Sequence, residues 1–212
     1  MKFDADRLQA TTSLFGPDGA HRYWWRSDFE AGGFKGDQLE RVLWVFMCPD
    51  EGPTKPAHLS ALQAWTRQLG GRNIGVVSLF NVMGPLGDVM RNTDPAGPHA
   101  DAALRAALAW VRHRDRKVLP SGRVMLCTGK PPWTFEGHAK LVADRNAYLW
   151  TQLRKRTMRP STLGNPVDGW PPNPLDKAMP VASVAANLRM ALPNDGGPLP
   201  ALEPTPAGWV RP

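Results

Sequence analysis

The stretch RVLWVFMC (residues 41–48) is almost continuously apolar and rich in β-branched and aromatic residues. An apolar run of this kind is typical of a strand that is covered on both faces, as in a parallel sheet. Similar runs occur at IGVVSLF (residues 74–80) and RVMLC (residues 123–127). A fourth strand is predicted at residues 158–163, where Pro160 fits only an edge or a strand end.

Helical patterns separate these strands. Residues 56–69, 99–113 and 139–156 carry apolar side chains at helical spacing. Strands that alternate with helices predict right-handed βαβ units. The predicted fold class is therefore α/β, with a four-stranded parallel sheet and helices on both faces.

The predicted domain organisation is a single domain with two C-terminal appendages. The α/β domain spans residues 1–180 and begins with an aromatic strap around HRYWWR (residues 21–26). A C-terminal helix is predicted at residues 181–192. Residues 193–212 are rich in Pro and Gly, which predicts a surface or disordered tail.

Composition narrows the class of protein. The net charge of +7 over 212 residues favours an anionic partner, with nucleic acid (DNA first) as the leading choice. No apolar run approaches the roughly 20 residues of a membrane span, and MKFDADRLQA does not have the pattern of a secretory signal. Two cysteines in a chain of this length favour a reducing cytoplasm. The absence of GxGxxG, P-loop and GxSxG patterns argues against dinucleotide, kinase and serine-hydrolase chemistry, and we predict no cofactor.

Polar residues follow each predicted strand. Because ligands of parallel sheets bind outside the carboxyl ends of the strands, this clustering predicts a binding site. Any one of these residues taken alone is explained better as a turn former, and the clustering at four strand ends is what favours a site. The candidate residues are Cys48, Asp50, Phe80, Asn81, Thr128, Lys130, Trp170 and Asn173.

The two cysteines allow two interpretations. Cys48 and Cys127 both end predicted strands, so they are expected to lie near each other. A zinc site would need two further ligands, for which His21 and His58 are present without a metal-binding spacing. Two buried structural thiols are the simpler interpretation, and we predict no metal.

Two basic segments are candidates for nucleic-acid contacts. RKRTMR (residues 154–159) contributes Arg154, Lys155 and Arg156 at the end of a predicted helix, where they also complement the helix dipole. HRYWWR contributes Arg22 and Trp24, a combination suited to phosphate contact and base stacking. The same segment also fits a strap that packs its tryptophans over the sheet.

The order of these motifs resembles a known family. HRYWWRSDF, VLWVFMCPDEG, IGVVSLFNVMG, NTDPAGP and DGWPPNPLD follow one another over residues 21–177. This arrangement is similar to a family of bacterial and phage proteins named domain of unknown function 1643. The family pattern in turn looks like the uracil-DNA glycosylase superfamily, which implies a glycosylase-like α/β core.

The resemblance implies roles for individual residues. It implies that the water-positioning place falls on Cys48, with Asp50 two residues later, and that Asn81 recognises the base. We assign Asp50 to water positioning or general base catalysis, and Lys130 to a phosphate contact. Asn173 stands where the family pattern has His, and would bind the base carbonyl or a phosphate. Cys48 stands where that pattern has Asn, and it is a nucleophile if its pKa is low. The expected function is a glycosylase-like, nucleobase-directed enzyme that acts on DNA and either cleaves the N-glycosidic bond or modifies a base, possibly a modified pyrimidine. The alternative is a non-catalytic nucleic-acid- or protein-binding module, such as a phage counter-defence factor.

Overall fold

The secondary structure is that of an α/β protein. A computed structural model of the chain describes residues 1–28, 41–49, 58–84, 89, 91–112, 122–131, 138–175 and 179–191. The helices are α1 (Ala5–Ala10), α2 (Leu59–Gln68), α3 (Ala100–Arg112), α4 (Ala139–Lys155) and α5 (Val184–Asn187), the last preceded by a 3-10 turn at Val181–Ser183. The strands are β1 (Ser13–Phe15), β2 (Arg22–Asp28), β3 (Arg41–Phe46), β4 (Asn73–Ser78), β5 (Gly122–Cys127), β6 (Ser161–Leu163) and β7 (Leu188–Met190).

The described strands form one mixed sheet in the order β1-β2-β4-β3-β5-β6-β7. The four predicted strands are β3, β4, β5 and β6, which pair in parallel in the middle of this sheet. Strands β1, β2 and β7 add to its two sides in antiparallel orientation. The α/β class is therefore confirmed, whereas the prediction of a four-stranded, wholly parallel sheet is wrong.

The predicted aromatic strap is a strand of the sheet. Strand β2 pairs with β4 and sends Trp24 and Trp25 into separate apolar clusters. Trp24 meets Trp110 of α3 edge to face, with 5.0 Å between ring centroids. Gly75 makes this packing possible, because a Cβ at that position would lie 2.4 Å from Cη2 of Trp24. The strand was not predicted from the sequence, because its aromatic and arginine residues do not form an apolar run. Both of its faces become buried only within the assembled sheet.

Helices cover both faces of the sheet, as predicted. Alternate residues of β3 point to opposite sides, because successive side chains of a strand do so. Leu43 and Val45 pack in the cluster that contains α1, α3 and α4 residues. Val42 and Trp44 pack in the cluster that contains α2 and α5 residues. Full burial of each large apolar side chain contributes about 1.5–3 kcal/mol.

The predicted C-terminal helix at residues 181–192 needs correction. The helical part ends at Asn187, whose Nδ2 donates to the Ser183 carbonyl at 2.8 Å. The next three residues form β7, which pairs antiparallel with β6 and satisfies the exposed backbone groups of that short strand. Residue 192 and the predicted tail at 193–212 lie outside the described residues.

Candidate functional site

The order of the parallel strands indicates where a ligand-binding crevice is expected, between the carboxyl ends of β3 and β5. These strands are neighbours, with Phe46 opposite Cys127, so Cys48 and Cys127 stand at the ends of adjacent strands. The chain leaving β3 enters α2 on one face of the sheet, and the chain leaving β5 enters α4 on the other face. Connections that leave neighbouring strands toward opposite faces open a ligand-binding crevice between them. We call this place the β3–β5 crevice.

Cys48 lies on the β3 side of this crevice. It is partly buried, and burial raises the pKa of its thiol to about 12. The thiol is therefore protonated near neutral pH, so the structure gives no support to the prediction of Cys48 as a nucleophile. Its predicted catalytic companion, Asp50, lies outside the described residues.

The two cysteines do not share a site. Cys48 packs against the cluster on the α3–α4 face, whereas Cys127 is fully buried in the cluster on the α2 face. Burial also raises the pKa of Cys127 well above its ordinary value. Among the described residues, no group of three or more His, Cys, Asp or Glu side chains is placed to hold a metal ion. The interpretation of two structural thiols fits this arrangement better than a zinc site does.

Thr128 lies on the β5 side of the crevice, directly after the strand ends. It is 5% exposed, and its Oγ1 is buried without a hydrogen-bond partner among the described residues. A buried hydroxyl normally has a partner, because desolvation without one is costly. The Thr128 hydroxyl therefore has unused hydrogen-bonding capacity within the described structure, and its predicted role in substrate binding stays a prediction.

The loop after β6 closes over the end of β5. The Gly129 amide donates to the Pro171 carbonyl at 2.8 Å, and Lys130 Nζ lies 2.6 Å from the Asp168 carboxylate. The Lys130 and Asp168 side chains are both largely exposed, so their ion pair contributes little stability. Trp170 is half-buried and packs against the core. The predicted substrate-binding residues Thr128, Lys130 and Trp170 thus belong to two loops that contact each other.

Asn173 belongs to the same loop and has a structural contact of its own. Its Oδ1 accepts a hydrogen bond from the Leu175 amide at 3.1 Å. This bond across two residues is an Asx turn, which fixes the orientation of the Asn173 amide group. The predicted contact with a base carbonyl or phosphate stays a prediction for its amide nitrogen.

Phe80 and Asn81 take different roles from those predicted. Phe80 is fully buried in the core, so its assignment as a substrate-binding residue is wrong. Asn81 is 1% exposed, and its Nδ2 donates to the Ala96 carbonyl at 2.9 Å. Its backbone amide donates to Pro95, and its carbonyl accepts from the Arg22 amide. Asn81 therefore holds a turn in place, and its predicted reading of a base is not supported.

The segments HRYWWR and NTDPAGP meet in the structure. His21 is 5% exposed; its Nδ1 contacts the Asp18 carboxylate, and its Nε2 the Asp94 carbonyl, both at 2.9 Å. Asp94 also accepts the Gly97 amide, and Gly97 has φ of +82°. A Cβ at Gly97 would lie 2.2 Å from Oη of Tyr23, so only glycine fits there. The two segments that contribute to the resemblance are thus packing partners beside the end of β4.

Arg145 is a residue that sequence reasoning missed. It is buried on α4, and its Nε donates to the Leu79 carbonyl at 3.1 Å at the end of β4. Its guanidinium also pairs with Asp101 of α3 and lies 5.5 Å from the Tyr148 ring centroid. The signal was present in the sequence, because Arg145 stands midway on the apolar stripe between Leu141 and Leu149. A charge at such a position indicates a buried ion pair.

The predicted nucleic-acid contacts are only partly at the surface. Arg22 is 4% exposed and Trp24 is 1% exposed, so neither offers a surface for stacking or phosphate contact, and their assignment is wrong. Lys155 is exposed at the end of α4, and Arg154 and Arg156 flank it with intermediate exposure. Consecutive helical residues point about 100° apart, since a turn has 3.6 residues, so these three side chains do not form one face.

Comparison with known proteins found no match to the chain among protein-family models, curated proteins or solved structures. The resemblance to the glycosylase superfamily therefore stays a prediction, and the roles that it implies are proposals.

The described helices were also compared with the length of a membrane span. The longest is α4, which has 17 residues and ends in basic side chains. No helix in the described part of the chain combines the length and the apolar character needed to cross a bilayer.

Proposed function

We propose that the protein is a nucleobase-directed enzyme that acts on DNA and takes an extruded base into the β3–β5 crevice. The observation that carries the proposal is the Thr128 hydroxyl, which is buried at this crevice without a partner in the described structure. A hydroxyl both donates and accepts, so it suits the donors and acceptors on the Watson–Crick edge of an extruded base. The net charge of +7 supports a polyanionic substrate.

The reaction that fits the remaining candidate residues is hydrolysis of the N-glycosidic bond. Asp50 follows Cys48 by two residues and is the only carboxylate among the predicted catalytic residues. In this step water adds to the sugar carbon, and the bond to the base nitrogen breaks. The base leaves with the electron pair, and the water proton passes to the Asp50 carboxylate. The neutral Cys48 thiol takes no part as a nucleophile, because burial raises its pKa to about 12.

A second candidate function is binding without chemistry. Two observations favour it: the Cys48 thiol is protonated, and Asn173 stands where the resembled family has an imidazole. An amide cannot become a cation, so it stabilises a departing base anion less than an imidazolium does. In that case the crevice recognises a base in DNA, or a protein, and leaves it intact.

Base extrusion is the step that tests the proposal. A duplex with 2-aminopurine beside one target pyrimidine brightens when the neighbouring base leaves the stack. We expect brightening on binding, strongest when the target is mismatched, because extrusion then costs least. Thr128→Val should weaken this response and Thr128→Ser should keep it. DNA binding with no brightening at any matched or mismatched pyrimidine would contradict the proposal.

A further inference from the structure

Three arginines from two neighbouring helices come together on the side of the sheet that α3 and α4 cover. Arg105 and Arg112 belong to α3, and Arg156 is the C-cap residue of α4. Burial is the main cause that lowers the pKa of Arg156, and the positive charges of Arg105 and Arg112 lower it further. The charges of Arg105 and Arg112 thus reach Arg156, and a hydrogen bond from Arg105 to Tyr148 joins the two helices at this place. We call these residues the α3–α4 basic face.

Two of the three arginines donate hydrogen bonds to neutral side chains. Arg105 Nη1 donates to the Tyr148 hydroxyl at 2.6 Å, and Arg156 Nη1 donates to Oε1 of Gln152 at 2.7 Å. Within the described part of the chain, none of the three arginines forms an ion pair with a carboxylate. Like charges held together with no ion-pair partner among the described residues favour the binding of a polyanion.

Helix capping explains only part of this arrangement. Arg112 is the last residue of α3 and Arg156 follows the last residue of α4, so both complement a helix dipole. Arg105 lies near the middle of α3, where the dipole has little effect. Its position beside Tyr148 therefore needs another explanation.

The basic face lies along a path that begins at the β3–β5 crevice. Helix α4 connects two parallel strands, so it starts at the carboxyl edge of the sheet and ends at the opposite edge. Its 17 residues span about 25 Å at 1.5 Å per residue. At 3.4 Å of rise per nucleotide in a strand of duplex DNA, this length corresponds to about seven nucleotides, and a more extended single strand covers it with fewer.

We propose that the α3–α4 basic face binds the phosphates of the DNA strand whose base enters the β3–β5 crevice, within about seven nucleotides of that base. This inference rests on the proposed function. Arginine is suited to the role, because its planar guanidinium binds phosphate oxygens in pairs. The face replaces the predicted cluster of Arg154, Lys155 and Arg156, of which only Arg156 belongs to it.

Strand length and salt dependence together test the proposal. Single-stranded oligonucleotides with the target base and either two or ten flanking nucleotides on each side are compared in fluorescence anisotropy titrations. The longer strand should bind more tightly, because only it reaches the basic face. Each lost phosphate contact lowers the slope of log K against log salt by about 0.7 for single strands, so Arg105→Gln/Arg156→Gln should lower it by about 1.4. Between 50 and 200 mM salt, the variant should therefore lose roughly sevenfold less affinity than the parent.

A matched variant removes two charges elsewhere. Arg67→Gln/Arg189→Gln changes an exposed residue of α2, on the opposite face of the sheet, and a residue of the edge strand β7. It should keep both the slope and the length dependence. Arg105→Lys/Arg156→Lys should keep most of the slope, because the charges remain.

The outcomes separate the two proposals. Equal slopes for the two Gln variants, or no gain from the longer strand, would overturn the basic face even where the short strand binds. A preference for acidic protein over DNA at this face would overturn it as well. If the long strand binds through the basic face but the short one shows no dependence on its base, the face stands and the proposed function of the crevice fails.

Discussion

Replacement of Thr128 by Val is expected to make the protein more stable and a weaker binder. Valine has nearly the shape of threonine and lacks the hydroxyl, which is buried without a partner in the described structure. An unsatisfied buried polar group costs about 1–3 kcal/mol, and an apolar group of the same shape removes that cost. We therefore expect the free energy of unfolding to rise by about 1 kcal/mol. For a domain of about 200 residues, this raises Tm by about 2–4 °C.

The effect on binding should have the opposite sign. If the hydroxyl bonds to an extruded base, its loss removes a neutral hydrogen bond worth about 0.5–1.5 kcal/mol. Affinity for DNA with the preferred base should then fall by about 2–12-fold, while affinity for an abasic strand stays the same. Thermal unfolding followed by circular dichroism, and anisotropy titrations with both strands, measure the two effects.

Thr162 provides a matched control for this experiment. Its hydroxyl is also buried without a partner in the described residues, but it lies within β6 and away from the β3–β5 crevice. Thr162→Val should raise Tm to a similar extent and leave base-dependent binding unchanged. If Thr128→Val lowers Tm, the hydroxyl has a structural partner and the reasoning fails. Equal effects of the two variants on binding would refute the assignment of Thr128.

Two further predictions concern reactivity and packing. The pKa of Cys48 is raised from 9.0 to about 12, so at pH 8 its thiolate fraction should be about a thousandfold lower in the native protein than after unfolding. The rate of its alkylation by iodoacetamide should be lower by the same factor. The folded state favours the neutral thiol, so the stability that this group contributes is complete below pH 9 and is lost between pH 9 and 12. Rapid labelling of the native protein, read by mass spectrometry, would contradict both statements. Gly75→Ala should lower the free energy of unfolding in urea by about 1–3 kcal/mol, because the new Cβ would lie 2.4 Å from Trp24 and 2.7 Å from Trp110. An unchanged midpoint of unfolding would refute this packing.

The strands that are easiest to predict from sequence are those whose residues are apolar on both faces. Strands β3, β4 and β5 are apolar on both faces, so each is recognisable as a continuous run. Strand β2 mixes Arg22 and Arg26 with aromatic residues, and its burial depends on pairing with β4. Strands β1 and β7 have three residues each, which is too short for an alternating pattern to show.

The position of the candidate site was easier to predict than its residues. Polar residues after parallel strands indicated the carboxyl edge, and the order of β3 and β5 places the crevice there. A polar residue at a strand end binds a ligand or holds a turn, and the sequence pattern is the same in both cases. Thr128 and Asn81 illustrate this, because the first has no partner among the described residues and the second bonds to Ala96. Only tertiary contacts distinguish them.

The most direct measurement is a search for product. The protein is incubated with DNA that contains normal, deaminated or hypermodified pyrimidines, and released bases, abasic sites and mass changes are measured. We expect turnover of at least one substrate. Asp50→Asn should lower it by about 10²–10⁴-fold while DNA binding is kept, because the change removes a proton acceptor and preserves the shape. If every substrate stays intact, or if Asp50→Asn is as active as the parent, the enzymatic account is contradicted.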